Sequence, residues 1–330
     1  MKCTVLSDGA WGSALAMVLA GNGHEVVVWG PFADYIEQLK NSRVNSRFLP
    51  GVVYPESVKF ESDMELAVAG SELILLATPT QFARSVVEKF KPFFKPDEMI
   101  ILDVAKGIEN NTLMRLSEMC TQVIGQSRYV VMSGPSHAEE VSRRVPTAVV
   151  AASADPEACK TVQQLFCNEY FRVYTGSDVL GVELGGALKN IMAIAAGIID
   201  GMQLGDNPKA AMMTRAIAEM SRLGEALGGN AATFSGLSGV GDLIVTCCSG
   251  HSRNRHVGEE LGRGKKLSEI LAAMGMVVAE GVATTKSAFL LARKLNVDTP
   301  IINQMYEILY DEKDPRDTLR ELMLREPKAE

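Results

Sequence analysis

The sequence predicts a mostly parallel α/β domain over residues 1–177, followed by an all-α domain over residues 178–330. Up to residue 177, short apolar runs alternate with helical patterns, which is typical of a parallel sheet covered by helices on both faces. Beyond that point only helical patterns occur. The length of 330 residues also suits two domains, because one domain usually takes ~100–200 residues.

The elements of the first part alternate between strand and helix candidates, which are distinguished by length, composition and apolar spacing. The predicted strands cover residues 3–7, 25–29, 73–78, 99–104, 129–133 and 148–152. The predicted helices between them cover residues 12–22, 34–41, 79–90 and 112–121. In the second part, helices are predicted at 180–199, 208–227, 239–246, 268–274, 284–295 and 300–310. The charged C-terminal tail is expected to be partly solvated.

The composition argues against several classes of protein. A net charge of −7 argues against a general nucleic-acid binder, which usually has a basic face. The six cysteines lack the spacing of metal ligands, so we expect reduced thiols, no metal site and a cytoplasmic protein. No signal peptide is recognisable at the N-terminus. No stretch reaches ~18 uninterrupted apolar residues, so we expect no membrane span.

Lys189 is the first candidate for chemistry. It lies in the predicted helix 180–199, which is apolar on nearly every face and is therefore expected to be buried. Burial disfavours the charged ammonium and lowers the pKa of a lysine by up to ~3–5 units. Such a lysine can transfer a proton near neutral pH. The alternative, a lysine that extends from a helix end to water, stays open on this segment alone.

The run from Ser7 to Gly12 joins the first predicted strand to the first helix, as a Rossmann-like dinucleotide fingerprint would. Gly9 would let the backbone approach a pyrophosphate, and Gly12 would let the helix pack on the sheet. The helix N-terminus would offer amides to the phosphates. Ser7 replaces the first glycine, and Asp8 is expected to repel the anion. A plain strand-to-helix turn is the alternative.

The choice between NAD and NADP usually depends on the residues that follow the second strand. Here Gly30, Pro31 and Phe32 follow it, and the first acid is Asp34. No arginine is present to accommodate a 2′-phosphate. The sequence therefore favours NAD slightly and leaves both cofactors open, with Phe32 as a candidate contact.

Further polar segments combine side chains with turn residues. Lys106 and Ser136 come just after buried strands, where open α/β sheets bind ligands, so we expect them to meet in one crevice. Asp242 opens a helix after two glycines, and residues 252–255 form a compact basic cluster that contains Arg253. Each has an ordinary alternative, such as a solvated loop lysine or a helix cap.

Taken together, these segments resemble the bacterial-type, NAD(P)-dependent glycerol-3-phosphate dehydrogenases over essentially the whole chain. The matching residues in the first part are Trp11, Gly12, Ser13, Ala14, Leu15 and Ala16, then residues 22–25 and 47–51, then Ala105, Lys106 and Gly107, then residues 133–136. Those in the second part are residues 186–190, residues 239–242, Ser252, Arg253 and Asn254, then Ala279, Glu280 and Gly281. Departures are Ser7 and Asp8, where the family shows Gly and Ala, and the missing arginine after the second strand.

The resemblance implies roles for individual residues. Lys189 would be the general acid/base, with Lys106 and Asp242 beside it in the catalytic group. The implied substrate contacts are Lys106, Gly134, Ser136, Lys189, Asn190, Asp242, Ser252, Arg253 and Asn254. The dinucleotide contacts, including those expected from the loop itself, are Gly9, Ala10, Trp11, Gly12, Phe32, Lys106, Ala138, Arg253, Val278 and Glu280.

The implied reaction is reversible hydride transfer between NAD(P)H and dihydroxyacetone phosphate, giving sn-glycerol 3-phosphate for glycerophospholipid synthesis. Two alternatives remain at this point. One is a related two-domain dehydrogenase that acts on a β-hydroxy acid; the other is a non-catalytic dinucleotide-binding regulator. The cluster around Arg253 favours a phosphorylated substrate. Because helical second domains of this kind often pair, we also expect a homodimer.

Overall fold

A computed structural model describes residues 1–327 and shows an eight-stranded sheet followed by helices. The strands are β1 (Lys2–Leu6), β2 (Glu25–Trp29), β3 (Val58–Glu61), β4 (Leu73–Leu76), β5 (Ile100–Asp103), β6 (Arg128–Ser133), β7 (Thr147–Ala152) and β8 (Phe171–Gly176). Their order is β3-β2-β1-β4-β5-β6-β7-β8. The β6–β7 pair is antiparallel and every other pair is parallel. The predicted fold class, a mostly parallel sheet followed by helices, is confirmed.

The helices of the first part are α1 (Ala10–Gly21), α2 (Ala33–Ser42), α3 (Met64–Val68), α4 (Thr80–Phe90), α5 (Leu116–Ile124), α6 (Ala138–Val141) and α7 (Pro156–Phe166). Those of the second part are α8 (Val179–Gly201), α9 (Asp206–Ala226), α10 (Ala231–Phe234), α11 (Asp242–Cys248), α12 (Arg253–Gly262), α13 (Leu267–Met274), α14 (Glu280–Lys294), α15 (Pro300–Tyr310) and α16 (Pro315–Met323). A 3₁₀ turn spans Lys91–Phe93, and a π-helical turn spans Leu237–Gly241.

Several elements differ from the sequence-based expectation. The strands β3 and β8 were not predicted, because they are the edges of the sheet and alternate buried with exposed residues instead of forming an apolar run. The helix predicted at 112–121 begins only at Leu116. The sequence predicted only a basic cluster at the start of α12 and only a charged tail where α16 lies. Both helices are rich in charged residues, which hides their few apolar positions.

Helices cover both faces of the sheet. On one face, Val5 of β1 belongs to a buried cluster with Leu15 of α1 and Phe166 of α7. On the other, Leu6 packs in a cluster with Val87 of α4 and Met119 of α5. Neighbouring residues of one strand thus point into different cores, as the period of two along a strand requires. This explains why the central strands are apolar throughout.

Helix α8 forms the centre of the helical part, and residues 181–199 are all buried. It approaches α12 without side chains between the two backbones. A Cβ on Gly197 would lie 1.9 Å from the carbonyl oxygen of Arg255, and a Cβ on Gly258 would lie 1.9 Å from that of Ile194. Glycine at both positions permits this contact, which sets the distance between α8 and the start of α12.

The chain passes from sheet to helices between Gly176, the end of β8, and Val179, the start of α8. The division into two domains at 177/178 stays a prediction, and residues 328–330 of the second one lie outside the described residues. Two segments, Val179–Gly201 and Ala231–Cys248, are apolar and long enough to cross a membrane by length and composition alone. The first is wholly enclosed by the protein, as a core helix is.

Candidate active site

A cleft of about 220 Å³ opens where the chain order of the sheet reverses, between β1 and β4. Its walls include residues that lie within three positions after a strand, such as Ser7 after β1, Thr78 after β4 and Lys106 after β5. The opposite wall comes from α8 and from the start of α12. Open α/β sheets bind ligands at such a reversal.

The loop after β1 leads directly into α1, with Gly9 at the N-cap. Its backbone amide donates to Ser7 Oγ at 3.0 Å, so the serine that replaces the expected glycine stabilises the turn. A Cβ on Gly12 would lie 2.8 Å from the Ser7 carbonyl oxygen, which explains the need for glycine where the helix meets the strand. No side chain caps α1, so its first amides are free to meet an anion.

Asp8 does not line the cleft, contrary to the expectation that its carboxylate would stand beside the bound anion. The side chain is buried instead against Gly30 at the end of β2: a Cβ on Gly30 would come 2.7 Å from Asp8 Oδ2. Burial raises the pKa of this carboxyl group, while its backbone hydrogen bond and the nearby Arg47 oppose the rise. Oδ2 has no hydrogen-bond partner within residues 1–327.

Lys189 and Lys106 share one carboxylate. The Nζ atom of Lys189 lies 3.0 Å from Asp242 Oδ1, and Nζ of Lys106 lies 2.6 Å from Asp242 Oδ2. Lys189 also donates to Thr246 Oγ1 at 2.7 Å, and Lys106 donates to the Gly134 carbonyl oxygen at 3.1 Å. The side chain of Asp242 is 1% exposed, so the carboxylate lies beneath the two ammonium groups rather than in the cleft.

The charges around Lys189 oppose one another. Desolvation is the largest influence and lowers its pKa to about 8, with a further decrease from Lys106; Asp242 offsets part of this. Burial alone would raise the pKa of Asp242, but Lys106 and Lys189 together hold it below its usual value. A lysine with this pKa can donate and accept a proton near neutral pH, and the lowered pKa of Asp242 keeps its carboxylate ionised.

A chain of side-chain amides connects three elements of the site. Asn190 Nδ2 donates to the Lys106 carbonyl oxygen at 2.9 Å, and its Oδ1 accepts from Asn254 Nδ2 at 2.9 Å. Oδ1 of Asn254 accepts from the Gly281 amide at 2.9 Å. Asn190 lines the cleft, as expected of a residue at its substrate end, while its amide holds the Lys106 loop.

Two further groups complete the walls. Ser252 caps α12 by accepting from the Arg255 amide at 3.1 Å, which places Arg253 in the first turn of α12. Arg253 lines the cleft, and no ion pair holds it within the part of the chain that the structure describes. Glu280 Oε1 accepts from the Thr80 amide at 2.7 Å, and burial raises the pKa of its carboxyl group.

Most residues predicted for the site line this cleft. They are Gly9, Ala10, Trp11, Lys106, Ser136, Ala138, Lys189, Asn190, Ser252, Arg253, Asn254, Val278 and Glu280. Gly12, Gly134 and Asp242 are not in the lining and act from behind it, through packing or hydrogen bonds. Phe32 stands apart, half exposed at the N-cap of α2.

Thr246 and two histidines of the site were not predicted from the sequence. Thr246 lies four residues after Asp242, so one helical turn brings both to Lys189, a spacing that was available as a signal. His137 and His251 line the cleft with ring centroids 5.9 Å apart. Burial, with a smaller effect of Lys189, lowers the pKa of His137. Among residues 1–327, no three His, Cys, Asp or Glu side chains are grouped to hold a metal ion.

The donor set at the first loop suits a dinucleotide. The uncapped N-terminus of α1 offers amides for a pyrophosphate, and Gly9 leaves the backbone open there. Two buried polar atoms of this loop, Asp8 Oδ2 and Trp11 Nε1, have no partner among the described side chains and backbone. A bound nucleotide would supply partners of the matching kind, because it carries both hydroxyl donors and oxygen acceptors.

Comparison with known proteins identifies the family. The model of the NAD-dependent glycerol-3-phosphate dehydrogenase N-terminus matches residues 2–159, and that of the C-terminus matches residues 178–320. A glycerol-3-phosphate dehydrogenase [NAD(P)+] of Geobacter metallireducens is 48% identical, covering 100% of this chain and 98% of the relative. One from Geobacillus thermodenitrificans is 50% identical, covering 99% and 96%.

Solved structures agree. The crystal structure of glycerol-3-phosphate dehydrogenase from Coxiella burnetii has a TM-score of 0.95 at 37% identity, covering 98% of this chain and 99% of the other. A D-mandelate dehydrogenase structure has a TM-score of 0.66 at 14% identity and shares the fold alone. On these matches, the chain belongs to the NAD-dependent glycerol-3-phosphate dehydrogenase family.

Proposed function

We propose that this protein catalyses reversible hydride transfer between NAD(P)H and dihydroxyacetone phosphate, giving sn-glycerol 3-phosphate. The observation that carries the proposal is a buried lysine, Lys189, paired with Asp242 at 3.0 Å and facing a cleft that also contains the phosphate loop. The relatives named glycerol-3-phosphate dehydrogenase, which match over the whole chain, support this reaction over the β-hydroxy-acid and regulator alternatives.

The protein must manage one proton beside the nicotinamide, which supplies or receives the hydride when bound. In the reducing direction, negative charge develops on the substrate carbonyl oxygen. The ammonium of Lys189 stabilises this charge and donates the proton; in the oxidising direction its neutral amine takes the hydroxyl proton. Asp242 orients both Lys189 and Lys106, and Thr246 accepts a second hydrogen bond from Lys189.

The substrate phosphate is assigned to Arg253, whose planar guanidinium matches phosphate oxygens and lacks a competing carboxylate in the described structure. The neighbouring polar groups of the lining are further proposed contacts: Lys106, Ser136, Asn190, Ser252 and Asn254. Gly134 acts on the substrate through Lys106, which it holds from behind the lining. The dinucleotide is assigned to these residues of the lining: Gly9, Ala10, Trp11, Lys106, Ala138, Arg253, Val278 and Glu280. Gly12 supports the loop by packing behind it, and Phe32, at the N-cap of α2, is a further proposed contact outside the lining. The dinucleotide-binding loop also contains the unpartnered indole nitrogen of Trp11.

The setting of the reaction is part of the proposal. All six cysteines are free, which suits a reducing cytoplasm. We assign the product to glycerophospholipid synthesis. A homodimer is also part of the proposal, because helical second domains of this kind often pair. A mass measurement by light scattering tests the dimer, and a monomer at micromolar concentration would contradict it.

The first experiment is the initial rate of NADH and, separately, NADPH oxidation by the purified protein with dihydroxyacetone phosphate. Turnover that depends on this substrate, with sn-glycerol 3-phosphate as product, supports the proposal. β-Hydroxy acids, assayed with NAD and NADP in the oxidising direction, are the matched alternative substrates. Nucleotide binding without turnover of any of them would instead favour the regulator.

A further inference from the structure

The end of β2 lacks the acid that dinucleotide-binding sheets place there. In this fold class an Asp or Glu at that point accepts a hydrogen bond from the adenosine ribose of NAD. Here β2 ends at Trp29, and Gly30 follows without a side chain. The first acid afterwards, Asp34, is exposed in the first turn of α2. The ribose position therefore needs an acceptor from another element.

Asp8 supplies a carboxylate at this position from the neighbouring strand. Strands β1 and β2 pair in register, Leu6 with Trp29, so the loop after β1 lies beside Gly30. A Cβ on Gly30 would come 2.7 Å from Asp8 Oδ2, so the carboxylate fills space that a side chain after β2 would occupy. Asp8 is 7% exposed, and Oδ2 has no hydrogen-bond partner in the described chain.

The loop around Asp8 is held by other residues. Asn45 Nδ2 donates to the Asp8 carbonyl oxygen at 2.7 Å and to Ser13 Oγ at 2.8 Å. Oδ1 of Asn45 accepts from the Tyr35 hydroxyl at 2.6 Å. Asn45 therefore fixes the backbone that carries the Asp8 carboxylate, while Oδ2 of that carboxylate stays without a hydrogen bond. An unsatisfied buried acceptor is costly, and a ligand hydroxyl removes that cost.

We propose that Asp8 recognises the ribose 2′-hydroxyl of NAD(H) and disfavours the 2′-phosphate of NADP(H). This rests on the dinucleotide site proposed above and adds its specificity. A hydroxyl donates to the carboxylate, whereas a phosphate has no proton to donate and carries like charge. The proposal replaces the expectation that Asp8 only repels the pyrophosphate, because its carboxylate lies against Gly30, the residue after β2.

Arg47 is the rival determinant. Its guanidinium lies 4.2 Å from the centre of the Tyr35 ring, and its charge acts on Asp8. An arginine near the ribose would accommodate a 2′-phosphate and favour NADP(H). The stacking on Tyr35 holds this arginine against α2, whereas the carboxylate of Asp8 lies against Gly30 at the end of β2. The two residues predict opposite preferences, which makes the choice testable.

The test is the dissociation constant of NADH and of NADPH, measured by nucleotide fluorescence without substrate. We expect the wild-type protein to bind NADH at least about tenfold more tightly than NADPH, the effect of about one charge-assisted hydrogen bond. The nearly isosteric Asp8→Asn should bring the two constants within about threefold, mainly by tighter NADPH binding. Asp8→Ser, which is smaller and uncharged, should do the same if the asparagine variant folds poorly. Asp34→Asn is the matched control and should keep the wild-type ratio.

Several results would overturn the inference. One is a wild-type preference for NADPH that disappears in Arg47→Ala, which would assign the selection to Arg47. Another is a ratio unchanged in both Asp8 variants or lost in Asp34→Asn. Binding of both nucleotides without discrimination in the wild-type protein overturns the inference while the proposed function stands. Binding of neither nucleotide overturns the proposed function as well.

Discussion

Lys189 and Lys106 are held by the same carboxylate, at 3.0 Å and 2.6 Å from the two oxygens of Asp242. One negative charge thus faces two ammonium groups, so the floor of the cleft keeps an excess of positive charge. That excess lies where a phosphorylated substrate would bind and where charge develops on the reacting oxygen during reduction. The two ammonium groups repel each other, and the carboxylate of Asp242 between them offsets this repulsion.

Replacement of Lys189 should abolish turnover and spare nucleotide binding. Lys189→Met keeps an unbranched chain in the buried helix and removes the proton donor, so we expect kcat to fall by at least about 10²–10⁴-fold. The dissociation constant for NADH should change by less than about threefold. Lys209→Met, which removes another lysine–aspartate pair (2.9 Å to Asp200) outside the cleft, is the control. Activity near that of the wild type in Lys189→Met would end the assignment.

The pH dependence should follow Lys189 in opposite senses for the two directions. With a pKa of about 8, the ammonium needed for reduction is lost as pH rises through about 8, so kcat/KM for reduction falls there. Oxidation needs the neutral amine, so its kcat/KM rises through the same range. Initial rates in both directions between pH 6 and pH 10 measure this fall and this rise of kcat/KM.

Asp242→Asn tests the cause of that midpoint. Attraction to Asp242 raises the pKa of Lys189, whereas burial and Lys106 lower it. Removal of the Asp242 charge should therefore move the pH dependence of both directions to lower pH. We also expect the reduction rate near pH 7 to fall by more than about tenfold, because the two lysines lose their common partner. If kcat/KM changes at the same pH in this variant as in the wild type, the titrating group is not influenced by Asp242.

The sequence allowed the position of Lys189 and the edge of the sheet to be predicted, for simple reasons. A helix that is apolar on nearly every face and contains one lysine is a local pattern, and residues after parallel strands meet at one edge whatever their neighbours. Asp242 could be assigned to the site only by resemblance, because its two ion pairs depend on how α11 packs on α8. The position of Asp8 against Gly30 could not be predicted from the sequence, because it depends on the register of β1 with β2.

Arg253 should control the affinity for the phosphorylated substrate. Arg253→Ala should raise KM for dihydroxyacetone phosphate by about 10–100-fold, because a charge-assisted hydrogen bond contributes about 1.5–3 kcal/mol. Arg253→Lys keeps the charge and loses the planar fork, so its KM should lie between those of the wild type and Arg253→Ala. Arg263→Ala, at the exposed end of the same helix, is the control. An unchanged KM in Arg253→Ala would place the phosphate elsewhere.

Glu219 should make the stability pH-dependent. Its side chain is buried and accepts from the amides of Ile301 and Ile302, yet burial raises its pKa to about 7, above the ordinary 4.5. The folded protein therefore holds a proton that the unfolded chain releases. This contribution, on the order of 3 kcal/mol, is complete below about pH 4.5 and lost as pH rises through about 7.

The check is the pH dependence of urea unfolding for Glu219→Gln, which cannot titrate. The unfolding free energy of the wild type, relative to that of the variant, should fall steadily from pH 5 to pH 8. Glu225→Gln, on the same helix and exposed, should track the wild type throughout. A constant difference across this range would mean that Glu219 titrates at its ordinary pKa.

The contact between α8 and α12 should be intolerant of a single methyl group. A Cβ on Gly258 would lie 1.9 Å from the carbonyl oxygen of Ile194, and backbone atoms of two packed helices cannot move aside as a side chain would. Gly258→Ala should therefore lower the unfolding free energy by about 3 kcal/mol or more, at the upper end of overpacking costs. Gly250→Ala is the control, because a Cβ there meets no atom within 4 Å.

The same substitution tests how the substrate site is positioned. Because Arg253 lies in the first turn of α12, separation of the two helices should move its guanidinium away from Lys189. Folded Gly258→Ala should then show a raised KM for dihydroxyacetone phosphate. Its NADH affinity should change less, since the proposed dinucleotide contacts other than Arg253 lie outside α12. If Gly258→Ala loses less than about 1 kcal/mol and keeps its KM, the close backbone contact does not set the distance between the helices.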